Sequence, residues 1–406
     1  MRLLAPFRAL RPPPELAPVI ATPPYDVVSS SEARDMASGN PRSFFRISRP
    51  EVGLRPDIDE HSDPVHAKGR QALEEFQRNG WLVLDDVPRF SLYRQRMGTH
   101  VQTGLVACAS LDAYARGDIK RHELTRPDKE DDRTRHIDAL GANDEPVFLA
   151  YRARPSVDAM LARQSERPPD VRFTSGDGVE HTVWTLPPSE NASIDAVLSE
   201  LDTMYIADGH HRSAAAARVQ ALRRSRGQGG GETDWFLAVV FSHQALQILP
   251  YNRLVKDLGP GGSGALLEGL RAGFEVSPAP RPEPEGPHRF GLYLDGRWWR
   301  LVAKPATIPA DPHGALDVSI LQDAVLGPLL GIHDPRRDPR IEFVGGVRGT
   351  TELQARVDRG EARAAFAVWP TAMRELLEIS DAGQIMPPKS TWFEPKLRSG
   401  LFLHPF

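Results

Sequence analysis

The chain has 406 residues, of which 40% are hydrophobic and 26% are charged. This composition is typical of a globular protein of about two or three domains, and it disfavours a disordered chain. The formal net charge of −4 disfavours a dedicated nucleic-acid binder, because such proteins usually carry a basic field over at least one domain. No nucleic-acid partner is therefore expected.

The single cysteine, Cys108, lies in an apolar run. No disulfide can form within one chain and no cysteine-based zinc site can be assembled, so we expect a buried structural thiol in a reducing compartment. The first residues include Arg2 and Arg8 without a long apolar run, which is unlike a signal peptide. No apolar run approaches bilayer length. We expect a cytoplasmic protein with no membrane partner.

The predicted elements begin with extended segments, turns and one short helix over residues 33–36, capped by the serines at 29–31. A longer helix is expected over 63–79 and ends at Gly80. Alternating apolar residues predict a hairpin over 90–95 and 101–110. Further helices are expected over 112–116 and over 194–200. Another helix follows the charged run at 129–133 and ends at about Leu140. Strands are expected over 147–152, 171–174, 181–186 and 204–207.

A turn at residues 208–212 then leads into a helix predicted over 213–224, where four consecutive alanines favour helix. A buried strand is expected over 235–241, and residues 247–250 are expected to extend the same sheet. The prolines from Pro278 to Pro287 indicate a linker, because proline fixes φ and removes a backbone donor. The elements expected after it are a hairpin over 290–294 and 297–302, a helix over 316–326, strands over 340–344 and 364–368, and a helix over 371–379.

These elements predict an α/β or α+β fold with a mixed sheet. We expect a catalytic domain over residues 1–275, which includes an N-terminal extension and both candidate motifs, and a smaller α+β domain over residues 287–406.

The sharpest functional signal is the turn Asp208-Gly209-His210-His211-Arg212, which follows a strand and opens a helix. The glycine lets the backbone approach a ligand, and a helix N-terminus offers unpaired N–H groups and a positive dipole end. Arg212 adds a fork that fits phosphate oxygens, and both histidines add donors or acid–base groups. Asp208 could hold a histidine tautomer or a metal. The plainer alternative is a polar helix cap with surface histidines, but the combination favours a phosphate site.

Metal binding by His210 and His211 together is disfavoured, because neighbouring side chains rarely point at one ion and no third ligand is obvious by spacing.

A second polar run covers residues 120–125 and continues to Lys129 and Arg133. Glu123 is the candidate general base, with its carboxylate poised by nearby basic residues that include His122. Lys129 and Arg133 would neutralise phosphate charge. The alternative is a solvated helix face with salt bridges, as most charge runs are. A third stretch, over 387–396, packs polar groups and aromatics into an irregular tail. A structural role is slightly favoured for it, and docking over the site is the alternative.

Several motifs together resemble a family of prokaryotic proteins catalogued as domain of unknown function 1015. The resemblance covers nearly the whole chain and rests on the runs PFRALRP (6–12), PPYDV (23–27), RHELT (121–125), ADGHHR (207–212), YNR (251–253) and MPPKSTWF (386–393). No P-loop, dinucleotide-binding glycine motif, protein-kinase signature or nucleophile elbow is present, so any phosphate chemistry would use a less common architecture.

The Asp208–Arg212 core is also similar to the phosphate-handling motif of the ParB/sulfiredoxin-like superfamily, which includes kinases of free L-serine. This resemblance implies a ParB/sulfiredoxin-like nucleotide-binding core, with Glu123 as the base on the serine hydroxyl. It implies nucleotide phosphates at the turn, from either ATP or ADP. Mg²⁺ is expected to bridge the phosphates, held mainly by substrate oxygens and by a carboxylate such as Asp208.

The resulting hypothesis is a small-molecule kinase that uses a nucleotide to phosphorylate L-serine, or a similar metabolite with a hydroxyl group. The expected catalytic residues are Glu123, His122, His210 and Asp208. The expected nucleotide-binding residues are Gly209, His210, His211, Arg212, Lys129 and Arg133.

Three alternatives stay open from the sequence. One is a ParB-like switch that binds DNA and hydrolyses CTP, and another is a regulatory module that binds nucleotide without turnover. A sulfiredoxin-type reductase would need a cysteine in the motif, where this chain has Gly209 and His210. The sequence also leaves a homo-oligomer open.

Overall fold

The structure is a computed structural model that describes residues 2–406. It divides into two compact units: the chain up to Leu246 together with Pro395–Phe406, and the segment Gln247–Glu394. Throughout residues 2–406, every helix is too short or too polar to cross a bilayer.

The division differs from the expected boundary at residues 275–287. The strand Phe274–Pro278 pairs with Arg297–Ala303 inside the sheet of the second unit, so the prolines after it form a loop within that unit. The last twelve residues, Pro395–Phe406, which we call the C-terminal tail, belong to the first unit. Sequence patterns report local conformation and do not show where a returning segment packs.

The first unit is built on a nine-stranded mixed sheet, as predicted. In spatial order its strands are Ile119–Lys120, Met204–Asp208, Val147–Tyr151, Trp235–Ser242, His100–Ser110, Ser91–Met97, Glu180–Thr185 and Val171–Thr174, and Leu4–Ala5 pairs beside His100–Ser110. Met204–Asp208 runs parallel to Ile119–Lys120 and antiparallel to Val147–Tyr151. Two short ladders join Leu10–Arg11 to Val83–Leu84 and Ala142–Asn143 to His404–Pro405.

Helices cover this sheet. They are Ala17–Ile20, Ser30–Ala37, Phe45–Ser48, Asp63–Arg78, Leu111–Arg116, Pro127–Leu140, Pro155–Gln164, Asn191–Leu198 and His210–Ser225. The cap predicted for the second of these is present, because the Ser29 side chain accepts from the backbone of Glu32 and Glu32 accepts from the backbone of Ser29. Cys108 is buried in the sheet, and burial raises the pKa of its thiol, so it is an unreactive core residue as expected.

The second unit has a six-stranded antiparallel sheet. Its strands in spatial order are Phe274–Pro278, Arg297–Ala303, Arg289–Leu294, Ala364–Val368, Tyr251–Val255 and Ile341–Gly345. Its helices are Gly262–Gly273, Asp317–Leu321, Gly349–Asp358 and Met373–Asp381. The helix predicted over 316–326 changes to a π-helical turn at Gln322–Leu326.

The prediction that residues 247–250 extend the first sheet was wrong. Ile248–Leu249 pairs with Trp392–Phe393 in a separate two-stranded ladder of the second unit. A run of two apolar residues fits any sheet edge, so its partner is decided by the fold.

Candidate active site

The turn after the strand Met204–Asp208 has the geometry of an anion site. Gly209 has φ of +96° and is the N-cap of the helix His210–Ser225, which we call the site helix. Within residues 2–406, no side-chain hydrogen bond caps this N-terminus. A Cβ at Gly209 would lie 3.4 Å from Val147 Cα, an ordinary contact distance, so the backbone angle is what favours glycine here.

The site helix starts three residues earlier than predicted, which places both histidines in its first turn. Its first intrahelical bond runs from Ser213 N–H to the Gly209 carbonyl, at 3.0 Å. The amides of His210, His211 and Arg212 therefore have no acceptor within the helix and lie at its positive end.

The two histidines hold the second motif against this turn. His210 Nε2 accepts from the backbone N–H of His122 at 3.4 Å, and His211 Nε2 accepts from the backbone N–H of Arg126 at 3.1 Å. Residues 121–126, which we call the site loop, are thus joined to the site helix at two points. The sequence motifs that lie more than eighty residues apart form one cluster.

A compact group of His122, Glu123 and His210 lies where the site loop meets the site helix. The two imidazole rings are perpendicular, with centroids 4.4 Å apart. Glu123 Oε2 lies 3.8 Å from His210 Nδ1, and 51% of the Glu123 side chain is exposed. The predicted base therefore reaches solvent, while His122 is only 2% exposed.

Both imidazoles of this group are uncharged at neutral pH. Burial lowers the pKa of His122 to about 4, against the opposing effect of a hydrogen bond with the Ile206 backbone. Burial and the neighbouring His122 lower the pKa of His210 well below its usual range. Burial also lowers the pKa of His211. The histidines can donate or accept hydrogen bonds, but they add no positive charge for a phosphate.

Asp208 is paired with a residue that the sequence did not assign to the site. Its Oδ2 accepts from Lys396 Nζ of the C-terminal tail at 2.9 Å, and its Oδ1 accepts from the Gly209 N–H at 2.8 Å. Burial alone would raise the pKa of Asp208. The positive charges of Lys396 and Arg212 outweigh this effect and hold the pKa well below its usual range. Asp208 is therefore ionised and neutralised by the tail.

Arg212 faces the protein interior. Its Nη1 donates to the Pro146 carbonyl at 2.6 Å and its Nη2 donates to Asp26 at 3.0 Å, while its Nε lies 3.6 Å from Glu145. The guanidinium is buried among these acceptors. Nη1 and Nη2 thus each donate to a protein acceptor, whereas Nε is buried with no hydrogen-bond partner within residues 2–406. These contacts make Arg212 an anchor beneath the turn, and its direct contact with phosphate stays a prediction.

Glu145 links this anchor to the tail. It accepts from the Ser399 hydroxyl at 2.6 Å and from the Tyr25 N–H at 3.2 Å. Burial raises the pKa of Glu145 to about 7, and Arg212 opposes this shift. The tail therefore contributes polar side chains at two positions beneath and beside the site helix.

The predicted cations of the second motif have partners other than the turn, although Arg133 packs on the same Tyr25 ring as Arg212. Arg133 is buried, donates to Asp132 and lies 4.3 Å from the ring centroid of Tyr25. Lys129 is half-buried. Its charge acts on Glu60, whose pKa is lowered chiefly by the Ser30 hydroxyl and more weakly by Lys129. Neither is joined to Asp208 or the site loop by a contact that the structure records among residues 2–406, and their predicted phosphate role remains a prediction.

The fold and the site together define a mixed α/β protein whose candidate active site is an uncapped helix N-terminus faced by a carboxylate-bearing loop. The chain belongs to the family described as "Protein of unknown function (DUF1015)", whose model matches residues 4–319. No match was found among curated proteins.

Solved structures give loose matches. A free serine kinase in complex with AMP has a TM-score of 0.36 and 16% identity, over 73% of this chain and 92% of that one. A conserved hypothetical protein from Pyrococcus furiosus has a TM-score of 0.35 and 16% identity, over 73% and 95%. SbnI from Staphylococcus aureus, with its C-terminus truncated, has a TM-score of 0.39 and 13% identity, over 74% and 87%. At TM-scores this low, no residue role passes from these proteins to this chain.

Proposed function

We propose that this protein is a nucleotide-dependent small-molecule kinase and that free L-serine is its phosphoryl acceptor. The observation that carries the proposal is the glycine-led, uncapped start of the site helix, held by two hydrogen bonds against the loop that bears Glu123. One element offers an anion site and the other offers a base beside it.

The nucleotide phosphates would bind at the N-terminus of the site helix. The amides of residues 210–212 point there without helical acceptors, and the helix dipole favours negative charge. Phosphoryl transfer depends chiefly on positioning and on neutralised charge. The charge on Asp208 would repel phosphate, but Lys396 neutralises it at 2.9 Å.

Glu123 would accept the proton of the attacking hydroxyl. Its carboxylate is exposed enough to meet a substrate, and it lies beside the uncharged imidazole of His210. Removal of this proton as the oxygen attacks the terminal phosphorus is general-base catalysis. His122 and His210 would orient the carboxylate.

Mg²⁺ would be held by the phosphate oxygens, since Mg²⁺ binds nucleotide substrates chiefly through their phosphates and water. Bound in this way, it neutralises phosphate charge. Asp208 is poorly suited to the role of protein ligand assigned from its sequence position, because its two oxygens already accept from Lys396 and Gly209.

The direct test is a phosphoryl-transfer assay with Mg²⁺, L-serine and either ATP or ADP, followed by mass spectrometry of O-phosphoserine. The free serine kinase among the structural matches suggests these first substrates. We expect product from the wild-type protein and a loss of at least about a hundredfold in Glu123→Gln. Glu166→Gln, an exposed carboxylate elsewhere in the first unit, should keep full activity.

Two results would contradict the proposal. Full turnover by Glu123→Gln would remove the assigned base. Saturable nucleotide binding without product from any hydroxyl acceptor would move the protein to the class of nucleotide-dependent switches or regulatory modules.

A further inference from the structure

We infer that His122, Glu123 and His210 form a binding site for a divalent first-row transition metal ion, with Zn²⁺ the best chemical fit. Each residue offers one ligand atom, and the three atoms lie within 4.8 Å of one another. The spacing of these residues along the sequence could not show this site, because the ligands come from two motifs that the fold brings together.

The donor set selects the kind of ion. Two imidazole nitrogens and one carboxylate oxygen are a usual set for zinc in catalytic sites and for other first-row metals. Mg²⁺ and Ca²⁺ prefer oxygen ligands throughout. Three protein ligands also leave coordination positions open for a water or a substrate oxygen.

The burial of the two rings supports the assignment. His122 and His210 are both buried, and their rings are fixed edge to face. One ring atom, His122 Nδ1, is buried with no hydrogen-bond partner within residues 2–406. This nitrogen belongs to a ring that packs against a second imidazole and contributes a ligand atom to the group. A metal ion bound at this nitrogen would satisfy it.

One existing contact would change. His210 Nδ1 faces Glu123, whereas His210 Nε2 accepts from the His122 amide at a long 3.4 Å. An ion on Nδ1 moves the ring proton to Nε2, which can then no longer accept. Metal binding should therefore end this weak hydrogen bond, and the His122 amide should respond to the metal.

The site also bears on the reaction. An ion at Glu123 would use one carboxylate oxygen and leave the other to accept the proton of the hydroxyl. The ion would lie beside the N-terminus of the site helix and would offer an open position to a phosphate or hydroxyl oxygen. This last step rests on the proposed function, whereas the metal site does not.

The test uses Co²⁺ as a probe on the tag-free full chain, without nucleotide or serine, because its visible absorption reports bound nitrogen and oxygen ligands. We expect one equivalent of Co²⁺ to bind and Zn²⁺ to displace it. Binding should weaken by at least about tenfold in His122→Ala, His210→Ala and Glu123→Gln, since even indirect disturbance of a metal site has effects of this size.

His243→Ala is the matched control. His243 is a partly buried histidine of the first unit whose Nδ1 accepts from the Ala153 N–H at 3.0 Å, and it belongs to neither the site loop nor the site helix. Co²⁺ affinity should therefore be unchanged in this variant. Glu123→Gln keeps the test valid if a histidine variant does not fold, because the Glu123 side chain is half exposed.

Equal Co²⁺ affinity in the wild-type protein and Glu123→Gln would overturn the site, as would equal losses of affinity in His243→Ala and His210→Ala. The phosphoserine assay is separate. Metal binding without formation of phosphoserine would support the metal site and refute the kinase. Formation of phosphoserine without metal binding would support the kinase and refute the metal site.

Discussion

Replacing Lys396 by methionine should remove the charge that neutralises Asp208 while keeping most of the side-chain packing. The Nζ–Oδ2 distance is 2.9 Å, and the side chains of Lys396 and Asp208 are 16% and 26% exposed. Breaking a fully buried pair costs about 3–5 kcal/mol, and breaking an exposed pair costs less than about 1 kcal/mol. The partial exposure and the remaining charge of Arg212 place the expected loss of unfolding free energy at about 2 kcal/mol.

Denaturant unfolding of the first unit measures this loss, and a double-mutant cycle with Asp208→Asn isolates the pair. We expect a coupling free energy of about 1–2 kcal/mol at pH 7. Because the pKa of Asp208 is depressed in the folded state, its contribution is present above the unfolded pKa and is lost as the pH falls. The difference between wild type and Lys396→Met should therefore shrink below about pH 4.

A Lys396→Met protein as stable as wild type at pH 7, within about 0.5 kcal/mol, would refute this reasoning. The same variant should bind ADP more weakly, since an unneutralised carboxylate then lies beside the phosphates. Lys396→Arg, which keeps the charge, should retain most of both properties.

Three further predictions follow from single contacts. Gly209→Ala should lower the free energy of unfolding by about 1–2 kcal/mol, because alanine is strained at the positive φ of this position; an unchanged midpoint of thermal unfolding would contradict this. His211→Ala should speed hydrogen exchange at the Arg126 amide, which loses its acceptor; an unchanged rate would show that the hydrogen bond is not formed. Burial raises the pKa of Glu145 to about 7, so its stabilising contribution is present below its unfolded pKa and lost as pH rises through 7. Between pH 5 and pH 8, the free energy of unfolding of Glu145→Gln in urea should therefore rise by about 2–3 kcal/mol relative to that of the wild type. A difference that does not change with pH would count against the raised pKa.

Short-range sequence patterns predicted the secondary structure around Asp208. The strand, glycine and helix around Asp208 follow from an apolar run, a residue that tolerates positive φ and four alanines, and the structure has all three. The helix start was misplaced because histidines carry little helix propensity of their own, so the pattern favoured Ser213.

Other features depend on contacts between distant residues. Lys396 is 188 positions from Asp208, and no periodicity connects them. Arg212 was expected to face a phosphate, but the direction of a guanidinium depends on which acceptors the fold supplies, and here these are Asp26 and the Pro146 carbonyl. The helix Gly262–Gly273 was not predicted, because its glycines lower helix propensity and only packing in the second unit sustains it.

In the proposed reaction, nucleotide phosphates bind at the N-terminus of the site helix. Hydrogen–deuterium exchange with and without ADP, resolved for a peptide over residues 208–213, tests it directly. We expect ADP to slow exchange in this peptide in the wild-type protein, because phosphate oxygens accept from amides that have no helical acceptor. Protection elsewhere in the chain with no change over 208–213 would contradict the claim.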